Sequence, residues 1–312
     1  MKKKLSIVTT FRNEEKVLSE FLSRALAVLD GLSSYEGELL IVDDSSTDRS
    51  LEILKMAAAT QPRIRVVVTS RRFGVYPCLF AALQYATGDA VVYLETDLQD
   101  PPELIPELVQ QWENGADVVY TTRRRRLGEN RCKMALTSLA YRVIHWLSSE
   151  TVVPRDSGDF KLLTRKVVEQ LLAIGEPAPY FRGMVSWVGF KQVQVFYERR
   201  ERYAGETKRA LLTFIPLQVF LAAILSVSNK PFYLVACMAC VAVGTLPIAG
   251  IVLWRMPHLT AESKIIGMLL LGLVTSSQVS LGIVALYLQR MYSLTRKRPL
   301  FIIRDIFTSR LP

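Results

Sequence analysis

The sequence predicts an α/β fold, a mainly parallel sheet followed by two transmembrane helices, and three observations carry that prediction. Strand-like and helix-like patterns alternate from Leu5 to Tyr120. Two long stretches without a charge follow in the second half. An acidic cluster, Glu95, Asp97, Gln99 and Asp100, stands just past a short apolar run. In open parallel sheets ligands bind beyond the carboxyl ends of the strands, where such a cluster falls.

The elements read in order as follows. Leu5–Thr10 is a strand and Glu14–Leu29 a helix. Glu38–Val42 is a strand and Asp48–Ala59 a helix, with Thr47 or Asp48 as a candidate cap. Ile64–Thr69, Ala90–Leu94 and Asp117–Tyr120 are strands, separated by helices at Tyr76–Tyr85 and Glu103–Asn114. The strands are nearly continuous apolar runs, as expected where helices cover both faces of a sheet.

The second half changes character. Pro231–Trp254 is 24 residues without a charge and Ile265–Gln289 is 25. Each exceeds the ~20 residues that cross a hydrocarbon core. Arg209–Ser228 is apolar with few charges and reads equally as an interfacial helix or as ordinary core. The expected organisation is a catalytic domain at 1–208, interfacial helices at 209–229, two transmembrane helices at 230–290 and a basic tail at 291–312. The tail holds Arg296, Lys297, Arg298, Arg304 and Arg310, so the positive-inside rule puts both termini and the catalytic domain in the cytoplasm, on a multi-pass inner-membrane protein. MKKK precedes only seven residues, Leu5–Phe11, before Arg12, which is too short and too polar for a signal peptide.

Composition agrees. Half of the 312 residues are hydrophobic, yet the net charge is +10. An apolar and basic chain suits a membrane protein with a cationic cytoplasmic face. No helix-turn-helix, zinc-finger or RNP-like pattern is present, so no nucleic-acid partner is expected. The four cysteines are scattered, and with only His145 and His258 a zinc site is not expected.

Several segments carry polar groups suited to chemistry. Oxygen ligands at alternate positions after Ala90–Leu94 can share a hard cation suited to a sugar-nucleotide pyrophosphate. The alternative there is a solvated acidic turn, with Asp100 capping the helix that Pro101 and Pro102 open. IVDDSSTD places Asp44 to accept hydrogen bonds from a base or ribose, or to serve the turn alone. TTFRNEE brings Asn13 and Glu14 beside Asp44 if the first two strands are neighbours. Arg123–Arg126, with Arg131 and Lys133, form a cationic run, and arginine forks suit phosphate. Asp159 in SGDFKLL is a base or a helix cap. Arg202 and Lys208 flank a glycine turn and suit an anion clamp or a solvated linker.

Together TTFRNEE, IVDDSSTD, ETDLQDPPELI, the Arg123 region, GDFKL, FRGMVSWVGF and YAGETK resemble the polyisoprenyl-phosphate glycosyltransferases of GT-A, family 2 type. Dolichol-phosphate mannose synthases and bactoprenol glucosyl transferases look most alike, and the resemblance covers nearly the whole chain. It implies a Rossmann-like GT-A domain. It also implies transfer, with inversion, from a UDP- or GDP-linked sugar to the phosphate of undecaprenyl or dolichyl lipid, for cell-envelope glycan modification, with Mg²⁺ or Mn²⁺ as cofactor. Carried over by motif, Thr10, Arg12, Glu14, Asp44 and Glu95 fall at nucleotide-sugar positions. Asp97, Gln99 and Glu95 fall at metal positions, and Asp159 and Asp97 at catalytic ones. Arg123, Arg131, Arg202 and Lys208 match positions that hold phosphate. The resemblance also implies association of several protomers.

The chain departs from the pattern in places. Arg12 stands where an aromatic residue is usual, Ser45 where a D-D-G-S turn has glycine, Arg72 where asparagine is usual, Glu95 where aspartate is usual and Lys161 where arginine is usual. These changes leave open a degenerate, non-catalytic scaffold, which weak donor binding without turnover distinguishes. A processive polysaccharide synthase is disfavoured, because Q-x-x-R-W is absent and two spans form no wide channel.

Overall fold

The computed structural model describes residues 2–123, 157–176, 179–198, 259–296 and 298–309. The elements are β1 (Lys4–Phe11), α1 (Glu15–Gly31), β2 (Glu36–Asp43), α2 (Ser50–Thr60), β3 (Ile64–Thr69), α3 (Val75–Tyr85) and β4 (Ala90–Tyr93). A short 3-10 turn, Pro102–Leu104, then leads into α4 (Ile105–Glu113) and β5 (Val118–Arg123). After residue 156 come β6 (Ser157–Thr164), α5 (Arg165–Ile174), α6 (Phe181–Trp187), β7 (Gln192–Tyr197), the long helix α7 (Leu259–Thr295) and β8 (Ile303–Thr308).

The described strands form one eight-stranded sheet in the order β7-β5-β6-β4-β1-β2-β3-β8. β4, β1, β2 and β3 run parallel, and so do β5 and β7. β6 lies antiparallel between β4 and β5, and β8 antiparallel on β3. The expected mainly parallel α/β sheet is therefore present, with two antiparallel strands added.

Helices cover both faces. Leu18 and Phe21 of α1, Leu54 of α2 and Leu108 of α4 pack on Ile7, Leu39, Ile41, Val66 and Val92. Leu79 and Leu83 of α3, Leu171 of α5 and Phe181 of α6 pack on Val8, Leu40, Val42, Val67 and Val91. Successive side chains of a strand thus enter opposite cores, which is why the strand sequences read as unbroken apolar runs.

The chain builds β1, β2 and β3 outward in one direction, then returns to lay β4 on the other side of β1. The order reverses between β1 and β4, the place where open sheets of this kind form a ligand crevice at the carboxyl ends of their strands. The opposite ends are closed by a buried polar knot. Glu38 accepts hydrogen bonds from Ser6 Oγ (2.6 Å), Thr87 N and Oγ1 (3.0 and 2.8 Å) and Arg65 Nη1 (2.6 Å). Gly88 seals the same corner: a Cβ there would stand 2.6 Å from Ser6 N and from the Ala90 carbonyl.

The two expected membrane helices fare differently from the sheet. Pro231–Trp254 lies outside the described residues, as do the interfacial segment 209–229 and the linker up to residue 258. The second stretch, Ile265–Gln289, falls inside the 37-residue α7. Counting only the described residues, no helix is long and apolar enough to cross a membrane. The polar run Thr275–Gln278 interrupts the apolar stretch midway; Ser276 and Ser277 donate their hydroxyls to the Leu273 carbonyl. Leu270, Val274, Val279, Leu281 and Leu288 of this helix are nonetheless exposed.

Candidate active site

Three loops meet at the crevice, and each follows a parallel strand. The loop after β1 holds Arg12, Asn13 and Glu14, that after β2 holds Asp44 to Asp48, and that after β4 holds Glu95 to Asp100. Among the described residues only Asn13, Ser45 and Leu98 combine a side chain with a positive φ, at 54°, 54° and 58°. One stands in each loop. Backbone strain of this kind persists where the surroundings over-determine it, and it gathers at functional sites.

The first two loops are stitched together. Asn13 N donates to Ser46 Oγ (3.0 Å), Thr47 N to Asn13 Oδ1 (2.8 Å), Glu14 N to Ser50 Oγ (3.0 Å) and Glu15 N to Asp48 Oδ2 (3.3 Å). The adjacency expected for Asn13, Glu14 and the Asp44 loop is thus present. Thr10 reaches across the reversal point, its Oγ1 lying 3.3 Å from the Tyr93 hydroxyl.

Asp44 is engaged within the fold. It accepts the Phe73 and Gly74 amides at 2.6 and 3.0 Å, so it braces the loop leading into α3. Its neighbour Asp43 was not among the expected site residues, yet it keeps a fully buried Oδ2 without a hydrogen-bond partner. Burial raises the Asp43 pKa, with a push from Asp44; hydrogen bonds from Ser46 and the charge of Arg304 oppose this only in part. The turn pattern D-D-S-S was the available signal, but it does not say which aspartate the fold consumes.

After β4, Asp97 is buried and Glu95 and Gln99 are half-buried. Asp97 Oδ1 accepts the Gln99 amide at 3.1 Å in a tight local turn. Leu98 between them turns its side chain into the core, 1% exposed. Among the described residues no group of three or more His, Cys, Asp or Glu side chains could hold a metal ion. The donor set present suits a smaller demand. Mg²⁺ and Mn²⁺ sites built on one or two carboxylates complete their shell with phosphate oxygens and water. Asp97, with Glu95 and Gln99 beside it, fits that pattern.

Asp100 does not cap a helix. The position before the 3-10 turn is Pro101, with no side-chain cap. The Asp100 carboxylate instead accepts the Tyr197 hydroxyl. Tyr197 in turn accepts Arg123 Nε at 3.3 Å. The pairing of β5 with β7 sets this geometry, because Arg123 and Tyr197 are register partners at the strand ends. Burial, then Asp100, pushes the Tyr197 hydroxyl well above its usual pKa, so it stays protonated at neutral pH.

Asp159 sits on β6, and both of its oxygens are engaged by Arg182 of α6, at 2.7 and 2.9 Å. Lys161, two residues on and 3% exposed, donates to the Gly158 carbonyl at 2.8 Å. Burial lowers its pKa to about 7, Asp159 pulling it up and Arg182 pushing it further down. The structure therefore gathers Thr10, Arg12, Glu14, Asp44, Glu95, Asp97, Gln99, Arg123 and Asp159 at the carboxyl ends of the strands. Arg131, Arg202 and Lys208 lie outside the described residues. Sequence reasoning missed Arg182 and Tyr197 as site residues. Arg182 was visible within FRGMVSWVGF, while Tyr197 had no signal beyond a short strand pattern.

The family profile described as glycosyl transferase family 2 matches residues 6–172, which takes in the loops after β1, β2 and β4 and the Asp159 corner of β6, and ends before Arg182 and Tyr197. The chain belongs to that family. It is a glycosyltransferase of family 2, and similar proteins agree. It is 38% identical over 308 residues to the uncharacterized glycosyltransferase YkcC of Bacillus subtilis, covering 97% of this chain and 94% of that one. It is 33% identical over 309 residues to the prophage bactoprenol glucosyl transferase homolog of Escherichia coli, covering 97% and 99%. Glucosyl-3-phosphoglycerate synthase from Mycobacterium tuberculosis, solved with Mn²⁺, UDP and glucosyl-3-phosphoglycerate, shares the fold. Its TM-score is 0.50 at 23% identity, over 70% of this chain and 78% of that one. The family 2 assignment gives the mixed α/β sheet its function, the transfer of a sugar.

Proposed function

We propose that this glycosyltransferase moves a sugar from a nucleotide-sugar donor to the phosphate of a polyprenyl lipid at a membrane face. One observation carries the reading: the loop after β4, with its carboxylates, is hydrogen-bonded through Tyr197 to an arginine at the end of β5. A divalent cation and a phosphate acceptor would then sit side by side. The name shared by several relatives, bactoprenol glucosyl transferase, supports a lipid-linked acceptor and makes glucose the first sugar to test. The long uncharged stretches Pro231–Trp254 and Ile265–Gln289 support a membrane-embedded chain with a cytoplasmic catalytic domain. Two spans bury little surface alone, which supports association of protomers.

The chemistry follows from the groups present. The acceptor phosphate is already anionic, so it attacks the anomeric carbon without a general base. As the new C–O bond forms, the bond to the leaving nucleoside diphosphate breaks, and its electron pair goes to the pyrophosphate oxygen. Asp97, with Glu95 and Gln99, would hold a divalent cation, Mg²⁺ or Mn²⁺, which would supply charge neutralisation for the leaving pyrophosphate. Asp44 and the Asn13–Glu14 loop shape the donor end. Asp159, committed to Arg182, keeps a cation fixed beside the reacting centre.

Asp97→Ala should lower sugar transfer from a UDP-sugar to undecaprenyl phosphate by about 10²-fold or more, the scale of losing a preorganised electrostatic contact. Lipid-extracted radiolabel, with and without Mn²⁺, measures it. Full activity of the variant would remove Asp97 from the site, and label in no lipid fraction from any UDP- or GDP-sugar with wild type would remove the acceptor.

A further inference from the structure

We infer that Tyr197 is a positioning residue for acceptor binding, a hydrogen-bonded spacer that aims Arg123 at the acceptor phosphate and ties it to the loop after β4. The inference deepens the proposed function and rests on its acceptor.

The direction of each hydrogen bond is forced. The Asp100 carboxylate only accepts and the Arg123 guanidinium only donates. The Tyr197 hydroxyl therefore gives its proton to Asp100 and takes the Arg123 Nε–H. The Asp100–Tyr197 contact is largely removed from water, with Asp100 2% exposed and Tyr197 5%, while Arg123 is half-buried. Fixing Nε sets the plane of the guanidinium, and a phosphate requires that plane for two-point contact. Among the described residues Arg123 forms its hydrogen bond through Nε, leaving the terminal nitrogens for an anion. The Tyr197 ring is itself held, meeting Phe160 edge-on with centroids 6.2 Å apart at 86°. Phe160 is the residue after Asp159, and a Cβ at Gly158 would come within 3.7 Å of Arg123 Nη2. One tyrosine thus joins three parts of the site: the loop after β4, the end of β5 and the Gly158–Asp159 corner of β6.

Without the hydroxyl the ring packing survives, but Arg123 Nε and the Asp100 oxygen lose their shared partner. Arg123 keeps its charge and loses its aim. A contact of this kind to charged groups is worth about tenfold or more in binding.

The test is a double-mutant cycle on the full-length protein in detergent, reading the Kd for farnesyl phosphate and for UDP by titration calorimetry. Tyr197→Phe should weaken farnesyl phosphate about tenfold and leave UDP within about twofold. In an Arg123→Gln background the same change should cost less than about twofold, because the residue acts through Arg123. Asp100→Asn reaches the relay from its other end, keeps an acceptor for the hydroxyl, and should give a smaller loss in the same direction; it serves if the phenylalanine variant fails to fold. Equal losses in both Arg123 backgrounds, or weakening of UDP instead, would overturn the inference. Wild-type protein that binds UDP but no farnesyl phosphate would overturn the acceptor reading itself, a result distinct from a failed cycle.

Discussion

Leu98 holds a left-handed backbone between Asp97 and Gln99, φ 58°, while its side chain is buried in the core. That conformation costs a side-chain-bearing residue about 1–2 kcal/mol. Burying leucine returns about 2–3 kcal/mol, so the anchor outweighs the strain and fixes the flanking polar groups toward the crevice. Leu98→Ala keeps the strain and loses the anchor; its Tm should fall by several degrees, and an unchanged Tm would show that the side chain is not what holds the loop. Ser45, φ 54°, has no such anchor. Ser45→Gly should raise the Tm slightly, relief of about 1–2 kcal/mol being partly offset by the greater freedom of glycine when unfolded. A clear fall, read by scanning fluorimetry in detergent, would refute the strain. The two positions differ in legibility. Serine standing where a D-D-G-S turn has glycine pointed to the bend, and the positive φ explains the usual glycine. Nothing about leucine announces a left-handed residue. Arg182 with Asp159 and Tyr197 with Asp100 were hidden for another reason: each pair joins residues far apart in sequence, a helix to a strand in the first and a strand to a loop in the second, through tertiary packing.

At the scale of elements, strands with both faces buried were legible because burial leaves an apolar run, as in β1 to β4. β6 was not, because Asp159 and Lys161 interrupt its pattern, and both stand at the site. Departures from local pattern are expected where function is placed. β8 was the largest surprise. The tail was expected to be a basic cytoplasmic extension, but Ile303–Thr308 completes the sheet edge on β3. Ser70 N donates to the Ile302 carbonyl at 2.9 Å, Lys55 lies 4.6 Å over the Phe307 ring, and Leu300, Phe301 and Ile303 pack on the core. The loop that begins at Ser70 carries the Phe73 and Gly74 amides held by Asp44. The strand after the long helix therefore supports the loop that Asp44 braces at the candidate site. Removing residues 299–312 should speed tryptic cleavage at Arg71 and Arg72, both exposed in that loop, because local opening sets the rate. Cleavage no faster than in the full chain would show that β8 merely covers an edge.

Across the whole molecule, the two ends of the sheet are built on opposite terms, and pH separates them. At the amino end Glu38 is fully partnered. Burial alone would raise its pKa, but hydrogen bonds from Ser6, Thr87 and Arg65 outweigh it and hold it below the usual value. Its stabilisation is therefore complete above the unfolded pKa and is lost as pH falls through the lower folded value. Glu38→Gln should cost about 2 kcal/mol at pH 7 and progressively less in acid. At the carboxyl end Lys161 is desolvated, with a folded pKa of about 7 against 10.5 for an exposed lysine. Between those values the unfolded chain binds more protons, so stability rises with pH. From pH 7 to pH 9 this amounts to about 2 kcal/mol, or about 5 °C in Tm for a domain of this size. Staying at or below pH 9 keeps the buried tyrosines protonated in both states. Lys161→Met should flatten that rise whatever it does to the Tm at pH 7, since loss of the hydrogen bond to Gly158 shifts the level and not the slope. Equal slopes in wild type and variant would mean that Lys161 is charged throughout. The flattened slope would locate the stability cost of this fold at the end of the sheet that carries the candidate site, with the compensating network at the other.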